Sequence, residues 1–120
     1  MEERIKWACF HVPANEEGEK EMEYLDYIDN PSPNIKEFYL PEKQNDLIFR
    51  LYLDFDDEFN ILIDNCESER MKKEDVPKAL EMALAFKEKQ TSEAGKEACD
   101  KIIEVLTFAK EHNSMVEFWF

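Results

Sequence analysis

Carboxylates are the chemically active side chains that this sequence concentrates. Seven acids (Glu16, Glu17, Glu19, Glu21, Glu23, Asp26 and Asp29) stand between residues 13 and 30 against one base, Lys20. Seven more (Asp54, Asp56, Asp57, Glu58, Asp64, Glu67 and Glu69) stand between residues 54 and 69 against none. These two stretches supply 13 of the 14 net negative charges, whereas residues 70–120 carry ten acids and nine bases. Such clusters suit two kinds of chemistry. Carboxylate oxygens coordinate hard divalent cations, and a localised negative field attracts and orients a basic partner.

Spacing separates the two. Asp54-Phe55-Asp56-Asp57-Glu58 lacks the alternating ligands, central glycine and distal glutamate of a calcium loop, and no metal or other cofactor is expected. Acids also collect at exposed turns with no ligand at all. A partner-binding reading singles out Glu19, Glu21, Glu23, Tyr24, Asp26 and Tyr27 in the first stretch. There tyrosine adds contact area and a hydroxyl at small entropic cost. In the second stretch it singles out Asp54, Asp56, Asp57, Glu58, Asp64 and Glu67, with Tyr52 as a further anchor. The same acids also fit a solvated amphipathic helix and a charged chain turn, with no partner.

Other chemistries find little footing. Two histidines, His11 and His112, and three cysteines, Cys9, Cys66 and Cys99, are widely spaced without a CxxC pair. Free thiols in a reducing compartment follow from that pattern. A cysteine nucleophile paired with His11 would need a positive potential to form its thiolate, and Cys99 falls on an apolar helical stripe. No enzyme activity is expected. The two glycines, Gly18 and Gly95, are too few for a phosphate loop or a dinucleotide fingerprint. Direct contact with nucleic acid needs a basic face. The beginning Met1-Glu2-Glu3-Arg4 lacks the features of a secretory signal, and no run approaches a membrane span, so a cytoplasmic protein is expected.

The elements that must position the acids can be read from periodicity. The 120 residues, 43% hydrophobic, fit one domain spanning the whole chain. Residues 4–12 alternate as a covered strand. Residues 15–29 fit a helix through Met22, Leu25 and Ile28, or a strand through Met22, Tyr24 and Asp26; helix is the preferred reading. Asn30-Pro31-Ser32-Pro33-Asn34 breaks the chain. A strand over 35–40 and a turn over 41–46 follow. Leu47, Phe49, Leu51, Leu53 and Phe55, then Phe59, Ile61 and Ile63, alternate with more polar positions, which predicts a β-hairpin whose tip is Asp56-Asp57-Glu58. Two helices are predicted next, one opened by Asp75 with Pro77 in its first turn, the other running from Thr91 or Ser92 to about His112. Residues 115–120 form a last strand that returns to the sheet, with Trp119 out of phase with Val116, Phe118 and Phe120. The predicted class is α+β, an antiparallel sheet of about five strands with two C-terminal helices packed on one face.

In size, acidity and order of elements, and in the helix start Glu74-Asp75-Val76-Pro77-Lys78-Ala79-Leu80, the chain resembles the small immunity proteins of bacterial polymorphic and contact-dependent toxin systems. The resemblance implies an inhibitor that blocks a basic toxin domain, such as a nuclease, by direct contact, and it carries no functional residue across. Alternatives are a nucleic-acid mimic that occupies the groove of a DNA- or RNA-binding protein, a small enzyme or carrier with a cleft at His11, and an accessory domain whose acidity serves solubility. The expected partner is a basic protein, either a toxin domain or a nucleic-acid-binding protein, with no direct nucleic acid and no membrane.

Overall fold

A computed structural model describes residues 7–24, 27, 30–63 and 68–120. Within these residues the chain forms a four-stranded antiparallel sheet and five α-helices. They follow in the order β1 (Trp7–Pro13), α1 (Glu16–Glu21), β2 (Ile35–Pro41), α2 (Glu42–Leu47), α3 (Phe49–Phe59), β3 (Ser68–Met71), α4 (Val76–Glu88), α5 (Glu93–Glu111) and β4 (Val116–Trp119). The strand order is β2-β1-β4-β3, which puts the first and last strands side by side in the centre.

The sheet sorts its side chains by parity. Ala8, Phe10 and Val12 on β1, Phe38 and Leu40 on β2, and Val116 and Phe118 on β4 are all buried on one face beneath the helices. The helices answer with Leu51, Tyr52 and Phe55 of α3, Val76, Ala79 and Ala83 of α4, and Ala98, Cys99, Ile102, Val105, Leu106 and Ala109 of α5. Alanines at the α4–α5 contact bring the two helices close. α5 starts at Ser92, whose hydroxyl accepts the Gly95 amide at 3.0 Å, a side-chain N-cap. At α4, Asp75 holds the N-cap position without a side-chain hydrogen bond, and a short 3-10 turn over Lys73–Asp75 leads in instead.

The predicted hairpin over 47–63 is not formed; α3 takes its place. Nearly every other residue there is apolar, so both periods fit the segment. The strand reading groups Leu47, Leu51 and Leu53, and the helix reading groups Ile48, Leu51, Tyr52 and Phe55 at steps of three and four. The structure buries the second set and leaves Leu47 and Leu53 exposed. Asp56-Asp57-Glu58 has aspartates that turns accept but no glycine for the positive-φ positions of a tight hairpin turn. The stop lies further on at Asn60, whose φ of 56° is the left-handed helix C-terminus that asparagine tolerates. The turn predicted over 41–46 is likewise replaced by α2. The sheet has four described strands rather than about five, and one of them, β3, was not anticipated, because Ser-Glu-Arg-Met shows no apolar alternation.

Of the preferred helix over 15–29, α1 covers Glu16–Glu21 and the chain turns at 22–24, while residues 25, 26, 28 and 29 lie outside the described residues. Asn15 caps α1 by accepting the Gly18 amide at 2.9 Å. Gly18 is required by close approach: a β-carbon there would sit 2.1 Å from the Asn34 carbonyl oxygen and 3.1 Å from the Pro13 side chain. That oxygen already accepts the Ala14 amide at 2.8 Å and has no room to retreat. Gly18→Ala is expected to cost about 2–3 kcal/mol through overpacking, read as a lower urea midpoint. An unchanged midpoint would show that α1 is not held against Asn34. The main core passes directly from Val12 to Phe38; Met22, Tyr27 and Ile35 form a separate small cluster with Met115.

Candidate functional site

The face of the sheet turned away from α3, α4 and α5 is built from the residues of opposite parity. Cross-strand register places Glu37 opposite His11, His11 opposite Glu117, and Glu117 opposite Arg70, one polar row across all four strands. The next row reads Tyr39, Cys9, Trp119 and Ser68.

Glu117 is the centre of the first row and is 1% exposed. Arg70 Nε donates to its Oε2 at 2.9 Å, the Tyr27 hydroxyl donates to Oε1 at 2.7 Å, and His11 Nδ1 lies 3.1 Å from the same oxygen. Arg70 Nη2 also donates to the Met22 carbonyl at 2.7 Å, and the His11 and Tyr27 rings meet edge to face at 5.0 Å. Burial alone would raise the Glu117 carboxyl, but hydrogen bonds with His11, Tyr27 and Arg70 outweigh it and hold the group below the usual carboxylate range. The same contacts act on Tyr27, whose hydroxyl is pushed up to about 12 by burial and by its bond to Glu117. The row thus latches the segment after α1 onto the sheet.

Periodicity gave no notice of Glu117, His11 and Arg70 as a group. A usable signal was present all the same: a lone glutamate inside the apolar run Met115-Val116-Glu117-Phe118-Trp119-Phe120 must find cationic and hydroxyl partners if the strand is central.

Cys9, His11 and Glu117 have the outline of a thiol relay, with Cys9 Sγ 3.5 Å from His11 Nε2. The electrostatics run the wrong way. Burial, with Glu37 and Glu117 nearby, pushes the Cys9 thiol up to about 12, whereas a nucleophilic cysteine needs a lowered value.

The described acids of the first stretch, Glu16 to Glu23, lie on this outer side, since α1 packs against Pro13 and its continuation carries Met22 over the sheet; Asp29 lies outside the described residues. Glu16, Glu17, Glu19 and Glu23 are exposed, and Tyr24 is 73% exposed. Two residues expected at a partner interface are used internally instead. Glu21 accepts from Ser32 and from Asn34, the latter at 3.0 Å, and so ties α1 to the proline turn. Tyr27 is 2% exposed. Glu21, Tyr24 and Tyr27 border an open cleft with Asn30, Pro31 and Ser32.

Of the second stretch, Asp54, Asp56, Asp57 and Glu58 sit on α3, in the helical layer on the far side of the sheet, and Glu69 sits on β3, where it accepts the Leu62 amide at 2.9 Å. Asp54 faces Arg50 at 3.6 Å and Glu58 faces Lys78 at 3.4 Å. Asp56 accepts the Ile63 amide at 2.8 Å and secures the chain after α3. Asp57 is exposed. Tyr52 is fully buried and donates to Asn45 at 2.6 Å, so it is no surface anchor. Asp26, Asp64 and Glu67, with Cys66, lie outside the described residues. The acids of α1 with Glu23 and the acids of α3 therefore lie on opposite sides of the sheet; Lys20 pairs with Glu17 on the first, and Arg50 and Lys78 pair with Asp54 and Glu58 on the second. Among the described residues no cluster of three or more His, Cys, Asp or Glu is placed to hold a metal, and no helix is long and apolar enough to cross a membrane.

The fold and this face define an acidic α+β domain in which one short helix outside the main core exposes several carboxylates. No family model and no curated protein matches the chain. Among solved structures the chain is similar to the Neisseria DNA mimic protein DMP12, with a TM-score of 0.55 and 20% identity over 95% of this chain and 98% of that one. At that identity the likeness is one of fold.

Proposed function

We propose that this protein binds a basic nucleic-acid-binding protein and occupies the surface that would otherwise hold DNA or RNA. The observation that carries this reading is the surplus of exposed carboxylates on α1 and its continuation. On α1 the exposed Glu16, Glu17 and Glu19 stand against one base, Lys20, and exposed Glu23 follows. Such a row of carboxylates offers a basic groove negative charge of the kind a phosphate backbone supplies. Similarity of fold to a DNA mimic protein supports the same reading. The surface is not a long rod: the molecule measures 42 × 40 × 22 Å, a plate about as thick as a duplex. A nucleic-acid-cutting toxin domain would offer the same basic groove, so the immunity-protein resemblance leads to the same partner chemistry.

The test is competition. The tagged protein is used to capture partners from cells that make it, and the complex is challenged with short duplex DNA and with single-stranded RNA. A basic nucleic-acid-binding protein that is released by one of them, with affinity falling steeply as salt rises, is the expected result. A captured partner that binds its nucleic acid and this protein at the same time would sink the proposal.

A further inference from the structure

The outer sheet face is only half covered. Met22 and Tyr27 roof the polar row, but the next row is open: Trp7 is 52% exposed, Tyr39 48% and Trp119 37%. These are three of the largest exposed apolar side chains among the described residues, and they sit together. Tyr39 and Trp119 flank Cys9 from the strands on either side. Trp7 meets Tyr39 edge to face at 6.5 Å. Neighbouring strands lie about 4.8 Å apart, so Tyr39 and Trp119 rise from points about 10 Å apart; the Tyr39 hydroxyl leans past Cys9 to Glu37, and its ring with Trp7 borders a shallow open hollow that exposes ring faces to a planar group. Beside it lies the neutral Cys9 thiol. Glu37, which accepts the Tyr39 hydroxyl and keeps a partly exposed carboxylate, closes one end.

Charge decides what fits there. A net charge of −14 opposes a second copy of this chain and any anionic surface. Aromatic faces with a carboxylate beside them favour a cation that is also flat and weakly hydrated, which describes guanidinium better than ammonium. We propose that Trp7, Tyr39 and Trp119 around Cys9, with Glu37 at the end, receive an arginine-bearing segment of the basic partner. This rests on the proposed function only for the partner's being basic. It adds a second contact besides α1, one that depends on aromatic stacking and selects arginine over lysine.

Both tryptophans of the chain belong to this patch, so intrinsic fluorescence reports on it directly. The probes are an oligoarginine peptide and an oligolysine peptide of equal length, added to the unmodified protein. Oligoarginine is expected to bind at least about threefold more tightly and to shield both tryptophans from acrylamide. Replacing Tyr39 and Trp119 together by serine should lower oligoarginine affinity about tenfold and change oligolysine affinity little. If calorimetry shows oligoarginine bound while acrylamide quenching of the unmodified protein is unchanged, the patch is not the site. That outcome requires no variant to fold and leaves displacement by nucleic acid untouched. Conversely, a shielded patch together with a partner that nucleic acid never displaces would retain this site and overturn the proposed function.

Discussion

Replacing Glu117 by alanine is expected to destabilise the protein by about 3–4 kcal/mol, since a buried charge network that loses one member strands the others. Glu117 is 1% exposed, and its two oxygens serve Arg70, Tyr27 and His11. Without it the Tyr27 hydroxyl and His11 ring are left in a site closed to water, whereas Arg70, partly exposed, can recover hydration. The loss should not be uniform. Amide exchange should accelerate most over residues 14–24, because the latch that holds that segment is gone, while α5 should keep its protection until global unfolding. Urea titrations and hydrogen exchange on the purified variant measure both. The pH dependence follows from the direction of the Glu117 shift. A carboxyl held below its ordinary value binds its proton less readily in the folded than in the unfolded protein. Its stabilisation is therefore complete above the unfolded value of about 4.3 and is lost as pH falls through the lower folded value. Glu117→Gln should remove that part of the acid sensitivity. An equal acid slope in the variant would show that Glu117 contributes none of it.

The second large effect concerns association. Changing Glu16, Glu19 and Glu23 to lysine adds two units per site and takes the net charge from −14 to −8. All three side chains are exposed and none is paired with a base in the described structure. The association rate with the captured basic partner is expected to fall by about one to three orders of magnitude at low salt. The difference should shrink at high ionic strength as screening takes over. Reversing Asp54, Asp57 and Glu58 instead should cost at most about tenfold, because Arg50 and Lys78 already offset part of that charge and α3 lies on the other side of the sheet. Stopped-flow association at two salt concentrations separates these cases. Equal losses from both sets would mean that total charge matters and α1 does not, and no loss from either would remove the charge-face reading.

What the sequence made legible follows from how many solutions each segment allows. β1, β2, β4, α4 and α5 were readable because their apolar residues fit one period only, and because Pro31, Pro33 and Ser92 mark where the chain must break or begin. Leu47–Phe59 was misread because leucine and phenylalanine fill both the strand face and the helix face; only packing against Phe118 and Phe120 decides between them. β3 is four residues long at a sheet edge, and its one fully buried side chain, Met71, sets no pattern. Site residues divide the same way. Glu19, Glu23 and Tyr24 are exposed, as expected of a partner face. Glu21 is half-buried and bonded to Ser32 and Asn34, and Tyr27 is buried against Glu117, because those hydrogen-bond partners come from distant parts of the chain. That the acids of α1 and those of α3 lie on opposite sides of the sheet is a property of topology and could not be read from their spacing.

The passage of the main core from Val12 straight to Phe38 bears on how such a protein changes over time. The described residues between Ala14 and Asn34, including the charged helix, lie outside that core and are fastened to the sheet by Gly18, Glu21 and the Glu117 latch. Their exposed positions are free to be rewritten for a new partner without disturbing a single side chain beneath the sheet. On the proposed reading, recognition and foldability are thereby uncoupled: α1 can change what it meets while the interior stays the same.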